Sequence, residues 1–343
     1  MNSDMKARAA EILSAIQKSK NILLHLHPRP DGDSVGSALA MYHMLKGMDK
    51  KATVIKGDSP LPYYLSCLPG FENIIEKNFF EINLSQFDLF IAQDVSSLGM
   101  ISALAEISFP STLKVVRIDH HQTERDFASI NFVDPTCPAT CELLFTLFKG
   151  WDIELTHDVA LCLFIGIYSD TGGFKYPNVK RNTFLAAAEL ADKAPDFSDA
   201  IAFTENSNSF ENIAYEGLAL SSVEKIFGGT VLVSSVSNEQ LLKLNIPKEE
   251  TVLGGLLHIP NQLRSVIGCK IGISLVEEEL GIVKVSMRTS DGEKFNLSKI
   301  AEALGGGGHK AAAGITIKGS LNETKVKVLQ AVSHFYGNTL ASS

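Results

Sequence analysis

Short apolar runs alternate with helical stretches over the first part of the chain. Asn21–His27 (NILLHLH) reads as a strand or a buried run, and the turn PRPDGDS follows it. Ser34–Met48 then reads as a helix with Ser34 near its N-cap. Ala52–Lys56, Phe87–Gln93 and Leu113–Ile118 read as three further strands, and Pro138–Lys149 and Leu155–Ser169 as helices. Strands separated by helices predict an α/β domain with a doubly wound, mainly parallel sheet. Ligands bind beyond the carboxyl ends of the strands in such sheets. The residues just after each strand are therefore the ones to inspect.

The texture changes further on. Ala186–Ala214 is helical in places, with Pro195 and the polar patch Glu205–Asn212, and reads as a connector. From about Glu216 the pattern is β-rich. Thr230–Ser235, Lys270–Val276, Ile282–Arg288 and Ala313–Lys318 read as strands. Short helices are expected around Asn238–Leu244 and over Leu297–Ala303, the latter leading into Gly305–Gly308. The expected organisation is a first domain over 1–190, a helical connector over 191–215 and a smaller α+β domain over 216–343.

Composition narrows the class. The chain has 343 residues, 45% apolar and 20% charged, enough to bury a sizeable core. This excludes a disordered, collagen-like or coiled-coil protein. Apolar runs such as Val159–Tyr168 fall far short of the roughly 20 residues of a membrane span. The N-terminus, MNSDMKARAAEIL, reads as an amphipathic helix rather than a signal peptide. Five cysteines, an odd number, argue against a disulfide framework. A soluble, cytoplasmic protein with no membrane partner is expected.

The net charge of −8 is unevenly spread. Residues 216–343 hold 13 Lys+Arg and 12 Asp+Glu, a net of +1; residues 1–215 hold 18 and 27, a net of −9. An acidic first part does not suit a basic groove for duplex DNA. It is compatible with a carboxylate cluster neutralised by divalent metals.

Candidate chemistry collects where the fold would place a site. His27, Asp31 and Asp33 follow the first strand, Asp94 the third, and Asp119, His120 and His121 the fourth. Asp170 follows the apolar run Leu161–Tyr168. A mixed His/carboxylate set suits Mn²⁺, with Mg²⁺, Co²⁺ or Fe²⁺ as alternatives. Six of these groups, His27, Asp31, Asp33, Asp94, His120 and Asp170, are many for one ion but suit two ions bridged by one or two Asp residues. Two ions roughly 3.5–4 Å apart clamp the attacking and leaving oxygens of a phosphoryl displacement. Cys137 and Cys141 have helical spacing but no second pair, so core packing is expected of them. His25 is read as structural.

Together these motifs resemble the DHH phosphoesterases. H-x-x-P-D-G-D-S at His27–Ser34, Asp94, D-H-H at Asp119–His121 and S-D-T at Ser169–Thr171 match that family's four motifs in order. R-T-S at Arg288–Ser290 and G-G-G-G-H-K-A-A-A-G at Gly305–Gly314 look like its DHH-associated C-terminal domain. The lack of further domains resembles the stand-alone nanoRNase and 3′-phosphoadenosine 5′-phosphate (pAp) phosphatase subfamily. RecJ exonucleases and family II pyrophosphatases are more distant relatives.

The resemblance implies roles. Two Mn²⁺ would be held by His27 and Asp31 and by Asp33 and His120, with Asp94 and Asp170 touching or bridging both. His121 would face the scissile phosphate, and Asp119 would orient a neighbouring histidine. Arg288, Gly305, Gly306, Gly307, Gly308, His309 and Lys310 would bind the substrate phosphate, with the active site in a cleft between the domains. Phe174 and Tyr176 either stack on a base or pack in the core. The implied activity is hydrolysis of short single-stranded RNA or of pAp, and a homodimer is allowed. Linear or cyclic dinucleotides and polyphosphate are the alternative substrates. A nucleotide sensor without catalysis would be expected to lack a ligand, and all six are present. Arg29 stands where relatives commonly have Asn.

Overall fold

In a computed structural model, residues 3–122, 125–247 and 258–341 are described. The chain divides into two compact units, Met1–Ser207 and Asn208–Ser343.

The first unit carries helices α1 (Ser3–Lys18), α2 (Gly32–Gly47), α3 (Thr140–Gly150), α4 (His157–Asp170), α5 (Arg181–Lys193) and α6 (Phe197–Asn206). Its strands are β1 (Asn21–His25), β2 (Lys51–Ile55), β3 (Leu89–Gln93), β4 (Lys114–Asp119) and β5 (Ile130–Val133). All are parallel, in the order β2-β1-β3-β4-β5. This is a parallel α/β sheet whose order reverses between β1 and β3, the point at which ligands bind in such sheets.

Alternate residues along each strand serve opposite faces. Ile22, Leu24, Leu89, Ile91, Val116 and Ile118 join the core built with the helices. Leu23, Phe90, Ala92 and Val115 face the other way, onto Phe79, Val95, Ile101 and Leu113. The 3₁₀ turns Phe79–Glu81, Leu84–Gln86 and Leu98–Met100 cover that second face.

Several boundaries differ from expectation, each for a local reason. The first strand ends at His25, before the prolines of the turn. The helix after it starts earlier than Ser34, and its cap is Asp31. Asp31 Oδ1 accepts from the backbone N–H of Asp33 (3.1 Å) and Ser34 (3.0 Å). Ser34 Oγ instead accepts from His27 N at 3.1 Å. The helix expected over Leu155–Ser169 runs His157–Asp170, so that Asp170 closes it. β5, only four residues long, is legible only through its pairing with β4.

The second unit carries α7 (Phe210–Ser221), α8 (Asn238–Lys243), α9 (His258–Arg264), α10 (Leu297–Ala303) and α11 (Leu321–Ala341). Its strands are β6 (Glu224–Ile226), β7 (Val231–Val236), β8 (Ile271–Glu279), β9 (Ile282–Thr289), β10 (Gly307–His309) and β11 (Ala312–Lys318). They form one mixed sheet in the order β10-β11-β9-β8-β7-β6, with only β7 and β8 parallel. Val285, Met287, Ala313 and Ile315 point to the core shared with α10 and α11, while Leu232 and Val276 pack with α7, α8 and α9.

Candidate metal centre

The carboxyl ends of β1, β3 and β4 converge with the C-terminal end of α4. Close helix packing makes the last part possible. A Cβ on Gly36 would lie 2.5 Å from the Cys162 carbonyl oxygen, and one on Gly166 would lie 2.2 Å from Cys141 Sγ. Only glycine lets α2, α3 and α4 approach this closely, and the approach sets Asp33 near Asp170.

The two histidines are oriented alike. His27 Nδ1 lies 3.0 Å from the Pro28 carbonyl, and His120 Nδ1 lies 3.3 Å from the Cys137 carbonyl. A carbonyl oxygen only accepts, so Nδ1 carries the proton in each neutral ring and Nε2 keeps its lone pair. His27 Nε2 is 3.5 Å from Asp94 Oδ2 and 3.7 Å from Asp31 Oδ1. His120 Nε2 is 3.3 Å from Asp170 Oδ2, 3.6 Å from Asp94 Oδ1 and 4.0 Å from Asp33 Oδ2. Buried His120 Nε2 has no hydrogen-bond partner among the described residues. Second-sphere carbonyls that fix the tautomer of a ligating imidazole produce this pattern.

Three groups of side chains could each hold a cation: His27–Asp31–Asp94, Asp33–His120–Asp170 and Asp94–His120–His121. Asp94 is shared by two of them. It sits at φ 57°, a left-handed conformation that Asp tolerates better than most residues. Arg29 sits at φ 58°, a left-handed conformation that Gly, Asn and Asp adopt more readily than Arg.

The electrostatics fit a site built for positive charge. Burial, then the charges of Asp33 and Asp94, push the Asp170 carboxyl up to about 9. Burial and Asp94 likewise drive Asp33 well upward. Burial opposes ionisation of Asp31, but the hydrogen bond and charge of His27 together with the backbone N–H groups of Ser34 and Asp33 outweigh it and hold that carboxyl low. Burial also opposes charge on His27, yet Asp31 and Asp94 raise it to about 11. Four carboxylates converge on one another, and the donor set (two imidazole Nε2 atoms with carboxylate oxygens) fits divalent cations of the Mn²⁺ type.

The comparisons with known proteins agree with this geometry. Residues 21–167 match the DHH family, N-terminal domain, and residues 228–338 match the DHHA1 domain. The bifunctional oligoribonuclease and PAP phosphatase NrnA of Thermus thermophilus is 30% identical over 94% of this chain and 92% of its own length. The protein is a member of the DHH family. The Bacillus subtilis protein of the same name is 26% identical over 90% of this chain and 92% of its own. Among solved structures, an exopolyphosphatase-related protein from Bacteroides fragilis superposes with a TM-score of 0.86 at 26% identity, covering 98% of both chains.

Other side chains of this DHH protein complete the site. His121 Nδ1 lies 2.8 Å from Asp119 Oδ1, which also accepts the His121 backbone N–H at 3.1 Å. Burial works to raise Asp119, but His121 and Arg117 overcome it and hold the carboxyl low. His25 is buried against Phe90, and burial pushes it down to about 4. All five cysteines are free. Cys141 is buried in the helix packing. Phe174 packs against Phe164, Tyr168 and Phe184, so it belongs to the core side. Tyr176 is 48% exposed.

Two contributors escaped the sequence reading. Thr140 and Cys141 donate their backbone N–H groups to the two oxygens of Asp33 at 2.6 and 2.9 Å, so Asp33 caps α3 from 107 residues away. Thr140 Oγ1 also donates to Asp94 at 3.2 Å. Nothing in the local pattern distinguishes this threonine from any other helix-start residue. Arg117 is the second. A charge inside the apolar strand run was the available signal.

In the second unit, Arg288 on β9 pairs with Ala312 of β11, which pairs with His309 of β10. Arg288 and His309 thus share one row and one face of the sheet, opposite the Met287–Ala313 face. Arg288 Nη1 donates to Ser286 Oγ and the Met287 carbonyl. Gly305 and Gly306 form the turn after α10, and Gly307 and Gly308 begin the edge strand. Lys310 Nζ is paired with Glu293 at 2.9 Å.

Proposed function

We propose that this DHH protein hydrolyses phosphoester bonds of short oligoribonucleotides and of pAp, using two divalent cations of which Mn²⁺ fits best. One would be held by His27 and Asp31, the other by Asp33 and His120, with Asp94 and Asp170 serving both. The observation that carries this reading is the pair of imidazoles whose Nδ1 atoms face backbone carbonyls while their Nε2 atoms face carboxylates. The names of the relatives from Thermus thermophilus and Bacillus subtilis support the choice of substrate.

When bound, such cations supply positive charge to a phosphoryl oxygen and lower the pKa of a water. The chain's own residues do the rest. Asp31 and Asp33 hold their positions through the N-termini of α2 and α3. His121, with Nδ1 held by Asp119, presents Nε2 to a phosphoryl oxygen. Arg288 and His309, with Lys310 and the backbone of Gly305, Gly306, Gly307 and Gly308, bind the substrate phosphate; a guanidinium fork suits that task. Among the described residues no helix is long and apolar enough to cross a membrane. The five free thiols support a cytoplasmic setting.

The test is a rate comparison. The purified chain with Mn²⁺ is given 5′-phosphorylated RNAs from dinucleotide to 20-mer, pAp, cyclic di-AMP and polyphosphate. Fast turnover of the shortest RNAs and pAp, falling steeply with length, is expected. Equal rates on 20-mers, or preference for polyphosphate, would overturn the substrate assignment.

A further inference from the structure

Arg117 lies on β4 with its side chain wholly out of water. A buried guanidinium needs its charge matched, and two of the three Arg117 nitrogens have a hydrogen-bond partner while Nη1 has none among the described residues. Nη2 donates to Asp119, and Nε donates to the Val95 carbonyl at 2.8 Å. The guanidinium carbon lies 5.3 Å from the centre of the Phe127 ring. Val95 directly follows Asp94, whose left-handed backbone must be held in place. Asp119 directly precedes His120 and holds His121 through two hydrogen bonds. One guanidinium therefore ties together the ends of β3 and β4, from which Asp94, His120 and His121 project.

Charge arithmetic gives the tie a purpose. Asp31, Asp33, Asp94 and Asp170 carry four negative charges when ionised, which two divalent cations would match. Asp119 would be a fifth, and Arg117 cancels it. Without Arg117, Asp119 would be a buried carboxylate with only His121 to match it, its Oδ2 would lose its partner, and its side chain would be freer to turn.

We propose that Arg117 is a positioning residue: through Asp119 it fixes the Nδ1–H tautomer of His121, and through the Val95 carbonyl it fixes the backbone of Asp94. Its effect on turnover rests on the metal-dependent hydrolysis proposed above; its effect on the His121 tautomer does not.

The test uses the full chain carrying Arg117→Met, Arg117→Lys, Asp119→Asn, or Arg117→Met with Asp119→Asn. Steady-state rates are measured on a 5′-phosphorylated dinucleotide with Mn²⁺. The ¹⁵N chemical shifts of His121 are recorded on metal-free protein at alkaline pH, where the ring is neutral, because Asp119 and Asp94 favour its protonated form. Arg117→Met should lower kcat by about 10–100-fold, as loss of outer-sphere support does, while KM stays nearly constant. Arg117→Lys should recover part of the loss, because an ammonium can serve one of the two partners. Adding Arg117→Met to Asp119→Asn should cost less than Arg117→Met costs the parent chain, because only the Val95 arm is then left to lose. The His121 shifts should report Nδ1–H in the parent chain and a mixture of tautomers in Arg117→Met. Full additivity of the two substitutions overturns the proposal. So does an Arg117→Met protein with parental kcat and tautomer and only a lowered melting temperature. If Arg117→Met does not fold, the double variant, which removes both charges, and Arg117→Lys carry the same comparison. If the parent chain hydrolyses none of the phosphoesters, the proposed function fails, and the ¹⁵N shifts still decide the role of Arg117.

Discussion

The two units present their functional residues in opposite ways. At the end of the first sheet, His27, Asp33 and Asp94 are buried and cross-tied, and burial beside Asp94 pushes the Asp33 carboxyl well upward. At the edge of the second sheet, His309 and Lys310 are exposed, and Lys310 is already paired with Glu293. A metal cage works by pre-placed, desolvated oxygens and nitrogens. A phosphate grip can be assembled from backbone and surface cations that water also reaches. The first should tolerate almost no change, and the second should lose activity by degrees.

Substitutions can break that contrast. Asp94→Ala removes an oxygen donor common to two candidate groups, and turnover should fall by more than the about 100-fold typical of outer-sphere losses. Circular dichroism should still show the parental fold. Arg288→Ala should be gentler: loss of charge-assisted hydrogen bonds of about 1.5–3 kcal/mol lowers kcat/KM by one to two orders of magnitude. Equal losses in Asp94→Ala and Arg288→Ala would erase the proposed difference between the regions. Gly166→Ala tests the packing beneath the cage. Overfilling the α3–α4 contact should cost about 1–3 kcal/mol, read as a lower urea midpoint for the first unit.

Metal-free protein offers a test by pH. Asp170, raised to about 9, and His27, raised to about 11, hold protons in the folded chain that the unfolded chain has released by neutral pH. The folded state binds more protons there, so stability falls as pH rises from about 7 to 9. Melting curves in EDTA should show that fall. Asp170→Asn should flatten it, and added Mn²⁺ should oppose it. The smallest effect belongs to Lys310→Ala. Its exposed pair with Glu293 contributes about 0–1 kcal/mol, so stability should hardly move. A large loss of stability there would mean that the second edge is as tightly tied as the first.

Much of the site was legible because strand ends and turns leave local signatures. The H-P-R-P-D-G-D-S turn, the D-H-H at the end of β4 and the S-D-T at the end of α4 all stand beside an apolar run. What stayed hidden was contact between distant segments. Thr140 reaches Asp94 across 46 residues, and Asp33 caps α3 across 107. Ser34 looked like the helix cap because Ser, Asp and Asn all serve that role. Only the folded backbone, in which Asp31 Oδ1 accepts from the N–H groups of Asp33 and Ser34, decided for Asp31. Phe174 and Tyr176 were indistinguishable in sequence, being two residues apart, and the turn after Asp170 sent one inward and left the other exposed.

The sequence by itself determined which ligands were available, in what order, and that they would sit at the ends of a parallel α/β sheet, since periodicity and turn chemistry are local properties. It also marked a change of architecture toward the C-terminal part. Tertiary structure decided which nitrogen of each histidine faces the carboxylates, because that depends on carbonyls of Pro28 and Cys137 that only folding brings into place. It decided, too, that Arg117 would be buried against Asp119 rather than solvated. Asp119 stands two residues on in the same strand, but only the end of β3, whose Val95 carbonyl accepts from Arg117, takes the pair out of water.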